Sequence, residues 1–251
     1  MKKAELKSFL DEKADRYNTI KFVDEDPILV PHQYSKKEDI EISGFLAASI
    51  AWGKRSIIIR NAKSMLERMD NDPYAFTMNA SRDELSAFDG FVHRTFNAED
   101  AKTFVLALRN IYKSEGMEAL FASGNGSIAQ GIERFRNRFF EINHQSRTQK
   151  HVSSPAKGSS SKRLNMFLRW MVRSDNRGVD FGIWETISPS SLYLPLDVHT
   201  GNISRKLDLL SRKQNDWKAV VEVSEKLKEL DPIDPMKYDF ALFGLGVYEE
   251  F

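Results

Sequence analysis

The sequence predicts an all-α fold. Apolar residues recur three or four positions apart through most of the 251 residues, and no segment shows the strict alternation of a half-buried strand. A helical chain of this length buries a sizeable core and forms one compact unit or two packed lobes. The expected organisation is a single domain over residues 1–251, with lobes at 37–142 and 143–251 and residues 1–36 packed against them.

The elements follow in order. Residues 1–10 mix charge with apolar residues at helical spacing and lack the apolar core of a signal peptide, so a cytoplasmic protein is expected. Ile40, Ile42, Phe45, Leu46 and Ile50 share one helical face. After Gly53 a second helix carries Ile57, Ile58, Ile59, Ala62, Met65, Leu66 and Met69, and Asp72-Pro73 stops it. Asn97 with Asp100 opens a third, bearing Ala101, Phe104, Val105, Leu108, Ile111 and Tyr112. Ile128, Ile132, Phe135 and Phe139 mark a fourth. From Asn143 to Ser161 large apolar residues nearly vanish, which predicts a long polar loop. A helix over Lys162–Arg173 follows, then a loop through Gly178, Gly182, Pro189 and Pro195. Helices over Gly201–Leu210, Asp216–Leu230 and Pro235–Tyr248 complete the chain, the last with Asp234 as N-cap and Pro235 at its first position. No internal repeat is present.

Composition narrows the function. With no cysteine, disulfides, thiolate metal sites and cysteine-ligated clusters are excluded. The five histidines are scattered without ligand spacing, so neither a metal site nor a cofactor is indicated. The longest apolar run, Phe45 to Trp52, is far short of the roughly 20 residues that span a bilayer. No membrane partner is expected, and a monomer is favoured. The formal net charge is only +1, but it is unevenly spread. From Gly131 to Arg173 ten Lys or Arg face two acids, a local +8 against −7 for the remainder. Such a segment, interleaved with Ser and Gly, reads as a phosphate-contacting surface or as a solvated helix face with a loop.

Two motifs carry chemistry. Ser159-Ser160-Ser161-Lys162-Arg163-Leu164 leads hydroxyl residues into a helix, with a lysine in or just before the first turn. The positive pole of the helix there disfavours the ammonium and so favours the nucleophilic amine. Leu194-Pro195-Leu196-Asp197-Val198-His199 places Asp197 near an N-cap, where backbone N–H groups keep a carboxylate ionised. Each motif is also compatible with ordinary surface contact or capping, and His199 with a structural histidine. The ending Tyr238-Asp239-Phe240-Ala241-Leu242-Phe243-Gly244-Leu245-Gly246 reads as a packing helix whose small residues let a neighbour approach.

A basic Ser-Lys helix start, an amphipathic helix, a Gly- and Pro-punctuated loop and a Pro-Leu-Asp-x-His helix start together resemble the second half of the helix-hairpin-helix DNA glycosylases. The likeness is closest in kind to the archaeal 8-oxoguanine glycosylases, with 35 residues between Lys162 and Asp197. Phe45-Leu-Ala-Ala-Ser-Ile-Ala-Trp-Gly-Lys-Arg-Ser56 is similar to the helix and turn that supply DNA-wedging residues. The whole chain also looks like an uncharacterised bacterial family associated with that superfamily. The resemblance implies a two-lobed glycosylase fold and base-excision repair of an oxidised or modified base in double-stranded DNA. Lys162 would be the Schiff-base nucleophile, with Lys157 as a second candidate, and Asp197 its supporting carboxylate. Trp52, Lys54 and Arg55 would lie near the opposite strand or the gap left by the flipped base. Lys150, Lys157, Gly158, Ser159, Ser161, Arg163 and His199 would contact DNA. The alternative is a non-catalytic nucleic-acid-binding protein on the same scaffold.

Overall fold

A computed structural model describes residues 2–122, 127–249 and 251; Met1, part of the N-terminal reading above, lies outside them. The protein is all-α, 63% helical with one two-stranded sheet. The helices are α1 (Lys3–Tyr17), α2 (Lys37–Ser49), α3 (Arg55–Glu67), α4 (Pro73–Asn79), α5 (Ala98–Tyr112), α6 (Gly116–Phe121), α7 (Ile128–Phe139), α8 (Lys162–Val172), α9 (Val198–Lys206), α10 (Trp217–Leu230) and α11 (Tyr238–Val247). Strands β1 (Val92–His93) and β2 (Phe96–Asn97) pair antiparallel. Among the described residues no helix is long and apolar enough to cross a membrane.

The chain divides into two compact units, 23–153 and a discontinuous one made of 1–22 with 154–251. The polar stretch 143–153 thus belongs with the helices before it, and the first 22 residues belong with the C-terminal half.

In the 23–153 unit, the periodic apolar residues build an aromatic core. Phe45 of α2 stacks on Phe104 of α5 (centroids 5.6 Å) and meets Phe135 of α7 edge-on (5.2 Å), while Phe104 meets Phe139 at 4.8 Å. All four rings are fully buried, and burial of this kind contributes roughly 1.5–3 kcal/mol per ring. The Asn97–Asp100 box opens α5 as expected: the Asp100 N–H donates to Asn97 Oδ1 (3.2 Å) and the Asn97 N–H to Asp100 Oδ2 (3.0 Å). α3 ends at Glu67, ahead of the expected stop, with Asp70 and Asn71 turning at positive φ. Asp72-Pro73 instead begins α4, the Asp72 carboxylate accepting the Ala75 N–H (3.2 Å). The two-residue hairpin was not expected, since strands this short leave no alternation to read.

The polar loop is corrected. Residues Ser146–His151 form a 3-10 helix, and Thr148 and His151 are buried. Its residues collect on Asp100, whose carboxylate is wholly inaccessible. Thr148 Oγ1 donates to Oδ1 (2.7 Å), Arg147 Nη1 lies 2.7 Å from Oδ2, and His151 Nε2 lies 3.3 Å from it. Burial would raise the Asp100 pKa, but these donors and the Asn97 N–H hold it far below the carboxylate range. A segment without apolar residues is therefore fixed by a buried anion.

In the other unit, where α11 packs on α1 and α9, Phe167, Trp170, Trp184, Tyr238 and Phe240 are all buried. The small residues of α11 act as the sequence predicts. A Cβ on Gly244 would fall 2.1 Å from the Tyr17 ring of α1, and one on Gly246 3.2 Å from Ile203 of α9. Tyr17 also stacks on Tyr248 (5.6 Å), and Lys13 pairs with Glu249 (2.9 Å). Asp234 and Pro235 hold the N-cap and first positions as expected, but of a 3-10 turn (Pro235–Lys237) that leads into α11, and the Asp234 carboxylate caps no N–H: it is taken by Arg173 at 2.9 Å.

Candidate active site

Lys162 is the first residue of α8, as the sequence predicts, but the serine before it does not cap the helix. Ser161 is buried in the left-handed region (φ 48°) and its hydroxyl accepts no first-turn N–H. Positive φ is costly for a residue other than glycine, asparagine or aspartate, and the surrounding bonds hold it. The Ser161 N–H donates to Ser159 Oγ (3.2 Å), and Asn165 Nδ2 donates to the Ser160 carbonyl (3.1 Å). Upstream, Lys157-Gly158-Ser159 forms a tight turn: the Gly158 N–H donates to the Pro155 carbonyl (2.8 Å) and the Ser159 N–H to that of Ser154 (3.1 Å), with Gly158 at φ +82°.

Asp197 is the N-cap of α9. Its Oδ1 accepts the Thr200 N–H (2.9 Å), while its own N–H donates to Thr200 Oγ1 (2.9 Å). The approach is fixed by Leu194, whose N–H donates to the buried Ser224 hydroxyl of α10 (3.0 Å), and by Asn215 Nδ2, which donates to the Asp197 carbonyl (2.8 Å). Lys162 Nζ then lies 3.0 Å from Asp197 Oδ2. The pair is partly open, with the lysine side chain 35% and the aspartate 17% exposed. Burial alone would raise the Asp197 pKa; the Lys162 charge and the Thr200 donors outweigh it and hold the group below its usual range.

Behind this pair is a charge network that sequence reasoning missed. Lys162, Asn165, Arg169 and Arg173 succeed one another at intervals of three and four, one face of α8. Arg169 pairs with Asp239 of α11 and with Asp180 (3.2 Å). Arg173 pairs with Asp180 (3.1 Å), Asp175 (2.7 Å) and Asp234. The Phe240 ring sits 4.3 Å from the Arg169 guanidinium and 5.4 Å from that of Arg173. Burial pushes Asp239 up to about 6 against the pull of Arg169, and the neighbouring Asp197 adds to the rise. The signal available in the sequence was that 3-4-4 polar spacing on a helix whose other faces are apolar.

The pH consequence has a definite sign. Folded Asp239 holds its proton up to about pH 6, where the unfolded chain loses it near 3.8. Its ionisation therefore lowers stability by about 3 kcal/mol as pH rises from 4 to 7. Asp197 acts oppositely, since its contribution is present above its unfolded pKa and lost as pH falls through its lower folded one. Asp239→Asn should remove the decline between pH 4 and 6.5 in urea-midpoint profiles; a variant that keeps the parental limb assigns that limb to another group.

The other expected residues fall as follows. Arg163 is half-buried, and burial lowers its guanidinium to about 10, still charged at neutral pH. His199 is exposed on the first turn of α9, and Lys157 and Gly158 are exposed in their turn. Trp52, Lys54, Arg55 and Lys150 belong to the 23–153 unit. Trp52 is half-buried there, meeting His93 edge-on (5.0 Å) and stacking on His151 (5.9 Å). Lys54 and Lys150 are exposed, and Arg55 is half-buried.

Within the basic segment 131–173 most of the cations have partners inside the protein. Arg169 and Arg173 are buried among carboxylates, Arg147 is on Asp100, Arg134 on Glu115 (2.6 Å) and Arg138 on Glu141. Arg136 donates to the Val152 carbonyl (3.0 Å). Arg134, Arg138, Arg147, Lys162, Arg169 and Arg173 thus sit against acids, all but Glu141 brought in by the fold from outside the segment, which a count along the chain cannot see.

No curated protein and no solved structure matches the chain. A family model does match, over residues 26–248, a span that includes Lys162, Asp197 and Asp239. The chain belongs to that family, described as Protein of unknown function (DUF2400).

Proposed function

We propose that the protein is a base-excision DNA glycosylase with lyase activity, acting through Lys162 on an oxidised or otherwise modified base in duplex DNA. The observation that carries this reading is the 3.0 Å separation of an accessible amine and an ionised carboxylate, each at the start of a different helix. Asp197 Oδ2 takes a proton from the Lys162 ammonium, and the free amine attacks C1′ of an extruded nucleotide. The C1′–N bond breaks with its electron pair leaving on the base, and the proton held by Asp197 neutralises that base. The attacking nitrogen, now a secondary ammonium, passes one of its two protons to O4′ as its lone pair opens the sugar ring to a protonated imine. Asp197, ionised again once it has protonated the base, then takes a C2′ proton, and β-elimination releases the 3′ phosphate.

The test is borohydride trapping on duplexes carrying different lesions, with the parent, Lys162→Gln and Lys157→Gln. The expected result is a covalent protein–DNA adduct in the parent and in Lys157→Gln, and none in Lys162→Gln. An adduct lost only in Lys157→Gln would move the nucleophile, and none on any lesion would remove the lyase step. A second reading, nucleic-acid binding without chemistry, draws on the closed state of the ion pair, in which the amine is already satisfied. It expects salt-dependent duplex binding and no adduct.

A further inference from the structure

The loop between α9 and α10 lies beside the candidate site and had no part in the sequence reading. Arg205 fixes it from α9, donating to the carbonyls of Arg212 (2.9 Å) and Lys213 (2.9 Å) and to Asn215 Oδ1 (2.6 Å). Asn215 in turn holds the Asp197 carbonyl. The Trp217 N–H donates to the Gly158 carbonyl (3.1 Å), and Asp216 bridges to Ser159. The loop is thus tied both to the helix start that bears Asp197 and to the turn that precedes Lys162.

Its charges are one-sided. Asp216 is neutralised by Arg212 through two contacts (2.7 and 2.5 Å), and Glu222 accepts the Ser211 N–H and hydroxyl (both 2.6 Å). Lys213 and Lys218 are exposed, and so is Lys157, one residue from the Gly158–Trp217 bond. Among the described residues none of the three enters an ion pair. Between them, half-buried Trp217 packs on Tyr193 (5.0 Å).

We infer that Lys213 and Lys218, with Lys157 across the Gly158–Trp217 hydrogen bond, form a phosphodiester-binding surface that seats a nucleic-acid strand beside the Lys162–Asp197 pair. The surface deepens the glycosylase reading by naming where the strand lies. Exposed cations without internal partners release counterions when they meet phosphate, and a loop already braced by Arg205 loses little freedom on binding.

The experiment is fluorescence anisotropy of an undamaged 20-base-pair duplex titrated from 50 to 200 mM salt. The parent is compared with Lys213→Glu/Lys218→Glu and with Lys21→Glu, an exposed control. The double variant should bind about tenfold or more weakly at 100 mM salt, with a log–log salt slope shallower by about 2; the control should change far less. Circular dichroism matching the parent excludes misfolding. Parental affinity and slope in the double variant, or no duplex binding by the parent, would overturn the surface. Loss of binding in the double variant with no borohydride adduct in the parent would leave the surface standing and remove the lyase step alone.

Discussion

Arg169→Met will lower the stability of the discontinuous unit by about 3–5 kcal/mol at pH 7.5, the range for stranding a buried charge by removing its partner. Methionine restores most of the aliphatic volume, so the loss reports charge rather than a cavity. Asp180 keeps Arg173, whereas Asp239 loses its ion-pair partner on α8. A carboxyl with a folded pKa of about 6 responds by taking a proton, so the penalty should shrink at pH 5. Trp170, Trp184 and Trp217 report on this unit and only Trp52 on the other, so urea unfolding followed by tryptophan fluorescence at the two pH values measures the effect. A loss below 1 kcal/mol at pH 7.5 would mean that water already reaches Asp239. Adding Asp239→Leu should recover part of the loss, because an apolar pair replaces a charged one without stranding either member.

Gly131→Ala should be the most damaging small substitution in the 23–153 unit. On a helix surface the change gains about 1 kcal/mol. Here the new Cβ would stand 2.2 Å from the Phe121 carbonyl oxygen and 3.0 Å from its carbon. Backbone cannot swing aside as a side chain does, so α7 must move off α6 and disturb the Phe121–Phe135 stack at 4.4 Å. Overpacking of a filled core costs about 1–3 kcal/mol, and the net expectation is about 2 kcal/mol of destabilisation. Hydrogen exchange of α6 and α7 amides measures it. Unchanged or greater protection would show that the helices separate freely.

The residues behind these effects were unequally legible in the sequence. Lys162 and Asp197 were found because helix starts are written locally, in a Ser-Lys lead-in and in Pro-Leu-Asp before an apolar-periodic run. The Asn97–Asp100 box and the apolar stripes of α2, α3, α5 and α7 were readable for the same reason. Asp239 was read as part of a packing helix because its partner Arg169 is 70 positions away. Arg169 and Arg173 were counted as surface charge because nothing nearby announces Asp180, Asp234 or Asp239. The polar stretch after Asn143 looked structureless since its organiser, Asp100, belongs to an earlier helix. Helices α4 and α6, of 7 and 6 residues, are too short to establish a period. The left-handed Ser161 was hidden because serine there suggests the opposite, a regular cap.

Helices α1 and α11 bear on biosynthesis. Tyr17 reaches Glu249 across 232 positions, so the opening helix leaves the ribosome with its eventual neighbour still untranslated. At about 5–20 residues per second that interval lasts about 10–50 seconds. Throughout it, the apolar side of α1 is an adhesive surface without its native cover, while the inserted 23–153 unit is emerging complete. The α1–α11 contact therefore closes only after α11 has been made, whereas every residue of the inserted 23–153 unit precedes it.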